Sequence, residues 1–253
     1  MHYAGHAAIV TGGASGLGLA TAQALAAQGC KVTLLDRNEA AAIAQAKILG
    51  GLGIGCDVVD AAGVEAAIAQ ARAVHGPARV LVNCAGIGVA GRVVGRDGPQ
   101  PLADFERVIR VNLIGTFNVL RVAAADMVGL EVLPSGERGV MINTASCAAF
   151  DGQIGQAAYA ASKGGVAAMT LPIARELARF GVRVVTIAPG LFQTPLLANL
   201  PQEAQDSLGA AIPFPSRLGK PEEFAELALH IIANPYLNGE TIRLDGALRM
   251  APK

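Results

Sequence analysis

AAIVTGGASGLGLATAQALAAQGCKVTLLD, residues 7–36, holds a strand, a glycine-rich turn, a helix and a second strand in one stretch. AAIVT (7–11) and KVTLLD (31–36) are apolar, β-rich runs. LGLATAQALAAQ (17–28) is helical and is ended by Gly29. A strand that is apolar without alternation is buried on both faces, as in a parallel sheet covered by helices. The rhythm continues, with strands expected at IGCDV (54–58), RVLVNCA (79–85), GVMINTAS (139–146), VRVVTIAP (182–189) and ETIRLD (240–245). VEAAIAQARAVH (64–75), ended by Gly76, is a second clear helix. Repeated strand–helix alternation predicts an α/β fold: a doubly wound parallel sheet of about seven strands with right-handed crossovers and helices on both faces.

The bulk properties agree with one domain. The chain has 253 residues, of which 52% are apolar, and 20 Lys plus Arg balance 20 Asp plus Glu. That length supports a sizeable core, and no composition break marks a second domain across residues 1–253. A formal net charge of zero gives no support to nucleic acid or an anionic membrane as the main partner. No basic segment followed by a long apolar region is read near the N-terminus, and no run approaches a membrane span. Cys30, Cys56, Cys84 and Cys147 lack metal-ligand spacing, so a reducing cytoplasm without disulfide or metal is expected. His2, His6, His75 and His230 are scattered, and His75, before Gly76, is expected to be a cation near a helix C-terminus.

Three segments break the rhythm. Residues 88–101 and 128–139 carry turn residues and should be surface loops. Residues 190–219 follow a strand end and are rich in Pro and Leu, which makes them the natural lid over a ligand bound at the carboxyl ends of the strands.

TGGASGLG (11–18) lies at the first strand-to-helix turn, where Gly12, Gly16 and Gly18 let the backbone approach a pyrophosphate at a helix N-terminus. Asp36 ends the next strand. It is either a turn-capping residue or an acceptor for adenosine ribose hydroxyls, and the glycine turn upstream favours the second role. Its carboxylate would repel a 2′-phosphate, so NAD is favoured over NADP, with Arg37 beside it softening that preference. Asp57 and Val58 end the third strand, near the adenine edge. Cys84, Ala85 and Gly86, in NCAG (83–86), would line the cofactor cleft with backbone.

Tyr159 and Lys163, in QAAYAASKGG (156–165), are four apart and share a helix face. Alone they fit a packed tyrosine beside a snorkelling lysine. With Ser146 ending the preceding strand, the three groups converge where a nicotinamide ring would lie. An alcohol losing a hydride must also lose a proton, and a phenol with pKa near 10 needs help to accept it. Lys163 can lower that pKa, and Ser146 can donate to the substrate oxygen. Asn112, in VIRVNLIGTFNV (108–119), either bends its helix or supports Lys163 through water.

TGGASGLG, NCAG, Asn112, Ser146, the Tyr159/Lys163 pair and IAPG (187–190) resemble, in order and spacing, the short-chain dehydrogenase/reductase family along the whole chain. The resemblance implies a Rossmann-type domain and a Ser–Tyr–Lys set with its Asn. A closer likeness, to the type II 3-hydroxyacyl-CoA dehydrogenases that include hydroxysteroid-active members, is carried by residues 139–165, 187–201, 213–219 and 234–250. The two loops fall where that group carries insertions. It implies NAD-dependent interconversion of 3-hydroxyacyl-CoA and 3-oxoacyl-CoA in fatty acid metabolism, and a homotetramer. It also implies cofactor contacts from Ser15, Leu17, Asp36, Asp57, Val58, Cys84, Pro189, Gly190, Phe192 and Thr194, and places Gln153 near substrate. Arg37 and Gln193 depart from the closest members. Alternatives are a hydroxysteroid or other secondary-alcohol dehydrogenase, an NADPH-dependent 3-oxoacyl carrier-protein reductase, and a scaffold of the same fold without turnover.

Overall fold

A computed structural model describes residues 4–198 and 201–252. Seven parallel strands form one sheet: β1 (Ala7–Thr11), β2 (Lys31–Asp36), β3 (Leu52–Gly55), β4 (Ala78–Asn83), β7 (Gly139–Thr144), β8 (Val182–Pro189) and β9 (Thr241–Leu244). Their order is β3-β2-β1-β4-β7-β8-β9. The chain winds outward from β1 in one direction and then returns to place β4 on its other side. The crevice at that reversal opens at the carboxyl ends of the strands.

The inner strands β2, β1, β4, β7 and β8 are buried on both faces, as their sequence predicts, while the edge strands β3 and β9 are half-buried. On one face Leu81, Met141 and Val184 pack against α3 (Ala61–His75), α5 (Gly115–Val128) and α6 (Ala157–Ala178). On the other, Val10, Leu34 and Ile187 pack against α1 (Gly16–Ala27), α2 (Glu39–Ile48) and α9 (Pro221–Ala233). Gly29 and Gly76, at φ +82° each, follow α1 and α3 where the sequence ends those helices. Asp60 starts α3 earlier than the apolar periodicity indicates, because its Oδ1 accepts the Ala62 N–H at 3.1 Å.

Strand ends differ from the sequence expectation for a common reason. The third strand stops at Gly55, since Asp57 turns the chain by accepting the Val59 N–H at 3.1 Å. β4 and β7 leave the sheet ladder before Cys84 and Ser146. Residues 88–101 hold a short antiparallel ribbon, β5 (Val94–Gly95) with β6 (Gly98–Pro99). The expected lid, 190–219, contains α7 (Pro195–Ala198) and α8 (Gln202–Ala210), and its base is joined where Gln193 donates to the Gly219 carbonyl at 2.8 Å. His75 corrects the expectation of a cation. Burial, with Lys31 nearby, lowers its pKa, and Nε2 is buried without a hydrogen-bond partner.

One buried ion pair closes the amino edge of the sheet. Arg183 in β8 donates from Nε to Glu137 Oε1 at 2.7 Å, and its Nη atoms donate to the carbonyls of Ile231, Ile232 and Leu237. It therefore satisfies the C-terminal carbonyls of α9 while holding the 129–138 loop. Burial opposes ionisation of Glu137, but Arg183 outweighs it and keeps the carboxyl below its ordinary range. The two side chains are 6% and 7% exposed, so Arg183→Met would remove the counter-charge of a buried carboxylate. That substitution is expected to cost about 3–5 kcal/mol of unfolding free energy, measured by urea denaturation.

Candidate active site

The carboxyl edge begins at Thr11. Its hydroxyl accepts the N–H groups of Cys84 and Ala85 at 3.1 and 3.2 Å and donates to Asn83 Oδ1 at 3.4 Å. Asn83 in turn donates to Asn143 Oδ1 at 3.0 Å, so polar side chains link the ends of β1, β4 and β7. Sequence reasoning passed over Thr11, Asn83 and Asn143. Their signal is a lone polar residue closing each apolar run.

The glycine turn fits a pyrophosphate. Gly12, at φ +62°, lies so close to the NCAG segment that a Cβ would come within 2.9 Å of the Ala85 nitrogen. A Cβ at Gly18 would be 2.2 Å from the Gly12 carbonyl, and Gly16 sits at φ +53°. The exposed Ser15 side chain makes no capping hydrogen bond, leaving the first-turn N–H groups of α1 for an anion. Asp36 serves the turn as well: Oδ2 accepts the Ala14 N–H at 3.2 Å and Oδ1 the Asn38 N–H at 2.9 Å. Each oxygen keeps a lone-pair site for a ribose hydroxyl.

The other expected cofactor contacts divide into surface and core. Asp57 is exposed at the end of β3. Val58 is buried, lies against Gly115, and its carbonyl accepts from Asn118 at 2.9 Å. Pro189 ends β8, and Gly190 donates to the Leu244 carbonyl at 2.9 Å. Phe192 is a core residue packed on Gly219, whereas Thr194 approaches Gly16. Leu17 is partly buried against the core. Cys84 is a packing residue, its thiol pushed up to about 11 by burial.

Ser146, Tyr159 and Lys163 come together as expected. Ser146 Oγ accepts the Ala148 N–H at 3.1 Å and lies near enough to the Tyr159 hydroxyl to favour its ionised form. Lys163, only 5% exposed, donates from Nζ to the Thr144 carbonyl at 2.7 Å and lies 5.9 Å from the Tyr159 ring centroid. Burial adds an effect on both groups that the sequence does not show. Burial raises the Tyr159 pKa, with nearby Ser146 opposing the shift, and burial lowers Lys163 to about 8. The Lys163 ammonium lies beside the ring and is held by the Thr144 carbonyl.

Asn112 lies in a π-helical turn, Arg110–Ile114, between α4 (Leu102–Ile109) and α5. π-Turns recur at functional sites because the extra residue redirects side chains. Asn112 Oδ1 accepts the Ile87 N–H at 2.8 Å, and Nδ2 donates to the Ile87 carbonyl at 2.9 Å and to Ser162 Oγ at 3.0 Å. A Cβ at Gly86 would lie 3.2 Å from Asn112 Oδ1 and 3.5 Å from Lys163 Nζ. The side chain thus fastens the NCAG segment to α6 directly. Gln153, expected near substrate, is held by the tail. Its amide donates to the Ala251 carbonyl at 3.0 Å, which turns it to the C-terminal tail.

Comparisons with known proteins agree with this geometry. A family model described as short chain dehydrogenase matches residues 6–205. The chain is 55% identical over 252 residues to human 3-hydroxyacyl-CoA dehydrogenase type-2, covering 98% of this chain and 97% of that protein. It is 34% identical over 248 residues to ipsdienol dehydrogenase of Ips pini, covering 95% and 96%. The crystal structure of 3-hydroxyacyl-CoA dehydrogenase type-2 from Mycobacterium avium superposes with a TM-score of 0.94 at 45% identity, covering 98% of each chain.

The buried lysine gives a direct test. Folding lowers Lys163 from 10.5 to about 8, so the folded protein holds fewer protons between those values than the unfolded chain. The Lys163 contribution to stability therefore rises with pH across that window. A lysine-selective NMR titration of the free protein is expected to show one amine titrating near 8, absent from Lys163→Met.

Proposed function

The chain belongs to the short-chain dehydrogenase family, and we propose that it interconverts 3-hydroxyacyl-CoA and 3-oxoacyl-CoA with NAD as the hydride carrier. The observation that carries the reaction type is the Ser146–Tyr159–Lys163 cluster at the sheet edge that also bears the glycine turn. The likeness to human 3-hydroxyacyl-CoA dehydrogenase type-2 over 98% of this chain supports the substrate class. The Asp36 carboxylate, held by Ala14 and Asn38 where a 2′-phosphate would come, supports NAD. The glycine turn, Asp36, Asp57 and Thr194 would hold the dinucleotide, with Lys163 on its nicotinamide ribose; when bound, it supplies the hydride acceptor for alcohol oxidation. The lid at 190–219 closes over an acyl chain.

Tyr159 exchanges a proton with the substrate oxygen, and Ser146 donates a hydrogen bond to that oxygen as negative charge develops. With its pKa raised by burial, Tyr159 stays protonated to high pH. It is therefore a ready acid for reducing the ketone, while oxidation needs the phenolate. The expected pH profile follows that sign: kcat/KM for oxidation rises towards alkaline pH, and that for reduction falls. Lys163, while charged, supports the phenolate.

The test is turnover of 3-hydroxybutyryl-CoA with NAD and NADP compared in parallel, beside a hydroxysteroid and simple secondary alcohols. Fast turnover of the CoA ester with NAD is expected. Tyr159→Phe should lower kcat about 10²- to 10⁴-fold while leaving cofactor binding intact. Activity only on the other alcohols would keep the chemistry and discard the acyl-CoA substrate.

A homotetramer is part of the same proposal. Ile114, at the end of the π-helical turn, and Phe117 in α5, 50% and 47% exposed, leave apolar surface, and Leu171 does so on α6. Light scattering after size exclusion should give four chains, and Phe117→Glu should give fewer. Cytoplasmic residence belongs to the proposal too, and the free thiols of Cys30, Cys56, Cys84 and Cys147 fit a reducing compartment.

A further inference from the structure

Ser146 and Tyr159 face each other across residues 147–156, a connection with little regular structure of its own. Among the described residues, it holds one 3₁₀ turn, Cys147–Ala149. Its own hydrogen bonds are local: Phe150 and Asp151 donate to the Cys147 carbonyl, and Gln156 donates to that of Gln153. Ties from elsewhere must therefore set its position. One comes from the ribbon loop, where Gly91 donates to the Gly155 carbonyl at 2.8 Å. The rest come from the C-terminal segment after β9. Ile154 donates to the Pro252 carbonyl and Gln153 to that of Ala251, both at 3.0 Å, and Cys147 Sγ lies 3.2 Å from Met250 Sδ.

Arg243 joins both partners of this contact. It sits in β9, two strands away from β7, from which the connection departs. Its Nη2 pairs with Asp151 in the connection and donates to the Leu248 carbonyl at 3.0 Å. Its Nε donates to Asp245 Oδ2 at 2.6 Å, and its guanidinium stacks 5.2 Å from the Phe150 ring centroid. Asp245 also accepts the Ala247 N–H at 3.0 Å, which shapes the turn that sends the tail back. One planar guanidinium thus binds the catalytic connection, the strand end and the returning tail, a geometry that a lysine does not reproduce.

We propose that Arg243 is a positioning residue for the hydride-transfer site. By clamping Asp151 and the tail together it fixes residues 147–156, and with them the placement of Ser146 against Tyr159. The inference rests on the dehydrogenase reading, since its consequence is read in alcohol oxidation. Small misplacements of reacting groups carry large losses in rate.

The experiment compares Arg243→Gln, Arg243→Lys and Asp151→Asn with the wild-type protein. For each, kcat and KM for 3-hydroxybutyryl-CoA, NAD affinity and amide hydrogen exchange are measured. If the wild type leaves the ester untouched, the functional reading fails, and the series is run on the alcohol it does oxidise. Arg243→Gln is expected to lower kcat/KM for the alcohol on the order of tenfold or more. Exchange should quicken in 147–156 and not in the glycine turn, with NAD affinity unchanged. Arg243→Lys should restore part of the rate, and the effects of Arg243→Gln and Asp151→Asn should be non-additive. Should Arg243→Gln not fold, Asp151→Asn alone carries the comparison. A lower melting temperature with kcat and KM unchanged would overturn the proposal, as would an equal loss of NAD affinity.

Discussion

The carboxyl edge of the parallel sheet is where ladder hydrogen bonding ends, and backbone groups there need new partners. Side chains supply them. Thr11 takes the N–H groups of Cys84 and Ala85, Lys163 takes the Thr144 carbonyl, and Asn112 takes both backbone groups of Ile87. The groups that complete the sheet are the groups that build the site. Structural and chemical demands on these residues therefore coincide.

Burial acts on the site in one direction. It raises the phenol of Tyr159 and lowers the ammonium of Lys163, because removal from water disfavours either charge. Lys163 gains a carbonyl acceptor in exchange, which offsets part of the cost. The free protein therefore holds a neutral phenol beside an amine that loses its charge within the mildly alkaline range. Negative charge developing on a substrate oxygen, or on Tyr159, is what the remaining Lys163 donors and the Ser146 hydroxyl are placed to meet.

Two arginines hold the sheet at opposite edges. Arg183 is sealed against Glu137 and the end of α9, where it serves stability. Arg243 is partly open and spans three separate segments at the carboxyl edge. The sequence shows both only as charges inside β-rich runs, RVVTI and TIRLD. Their partners are distant: Glu137 is 46 residues from Arg183, and Asp151 is 92 from Arg243. No local pattern encodes such pairs.

The sequence by itself determined whatever depends on neighbours along the chain. The two-face apolar strands, the glycine stops at Gly29 and Gly76, the glycine turn and the Tyr159/Lys163 spacing are all local, since period and backbone freedom are properties of short segments. The Ser146–Tyr159–Lys163 cluster was legible because two of its members share one helix and the third closely follows the strand before it. Only the tertiary structure decided the rest. It turned Gln153 to the tail, made Asn112 a fastener between Ile87 and Ser162, and placed Val58 and Phe192 in packing roles. It also lowered the pKa of His75 and raised that of Tyr159 through burial. Each of these depends on desolvation and on partners far away in sequence, quantities that exist only once the chain has closed on itself.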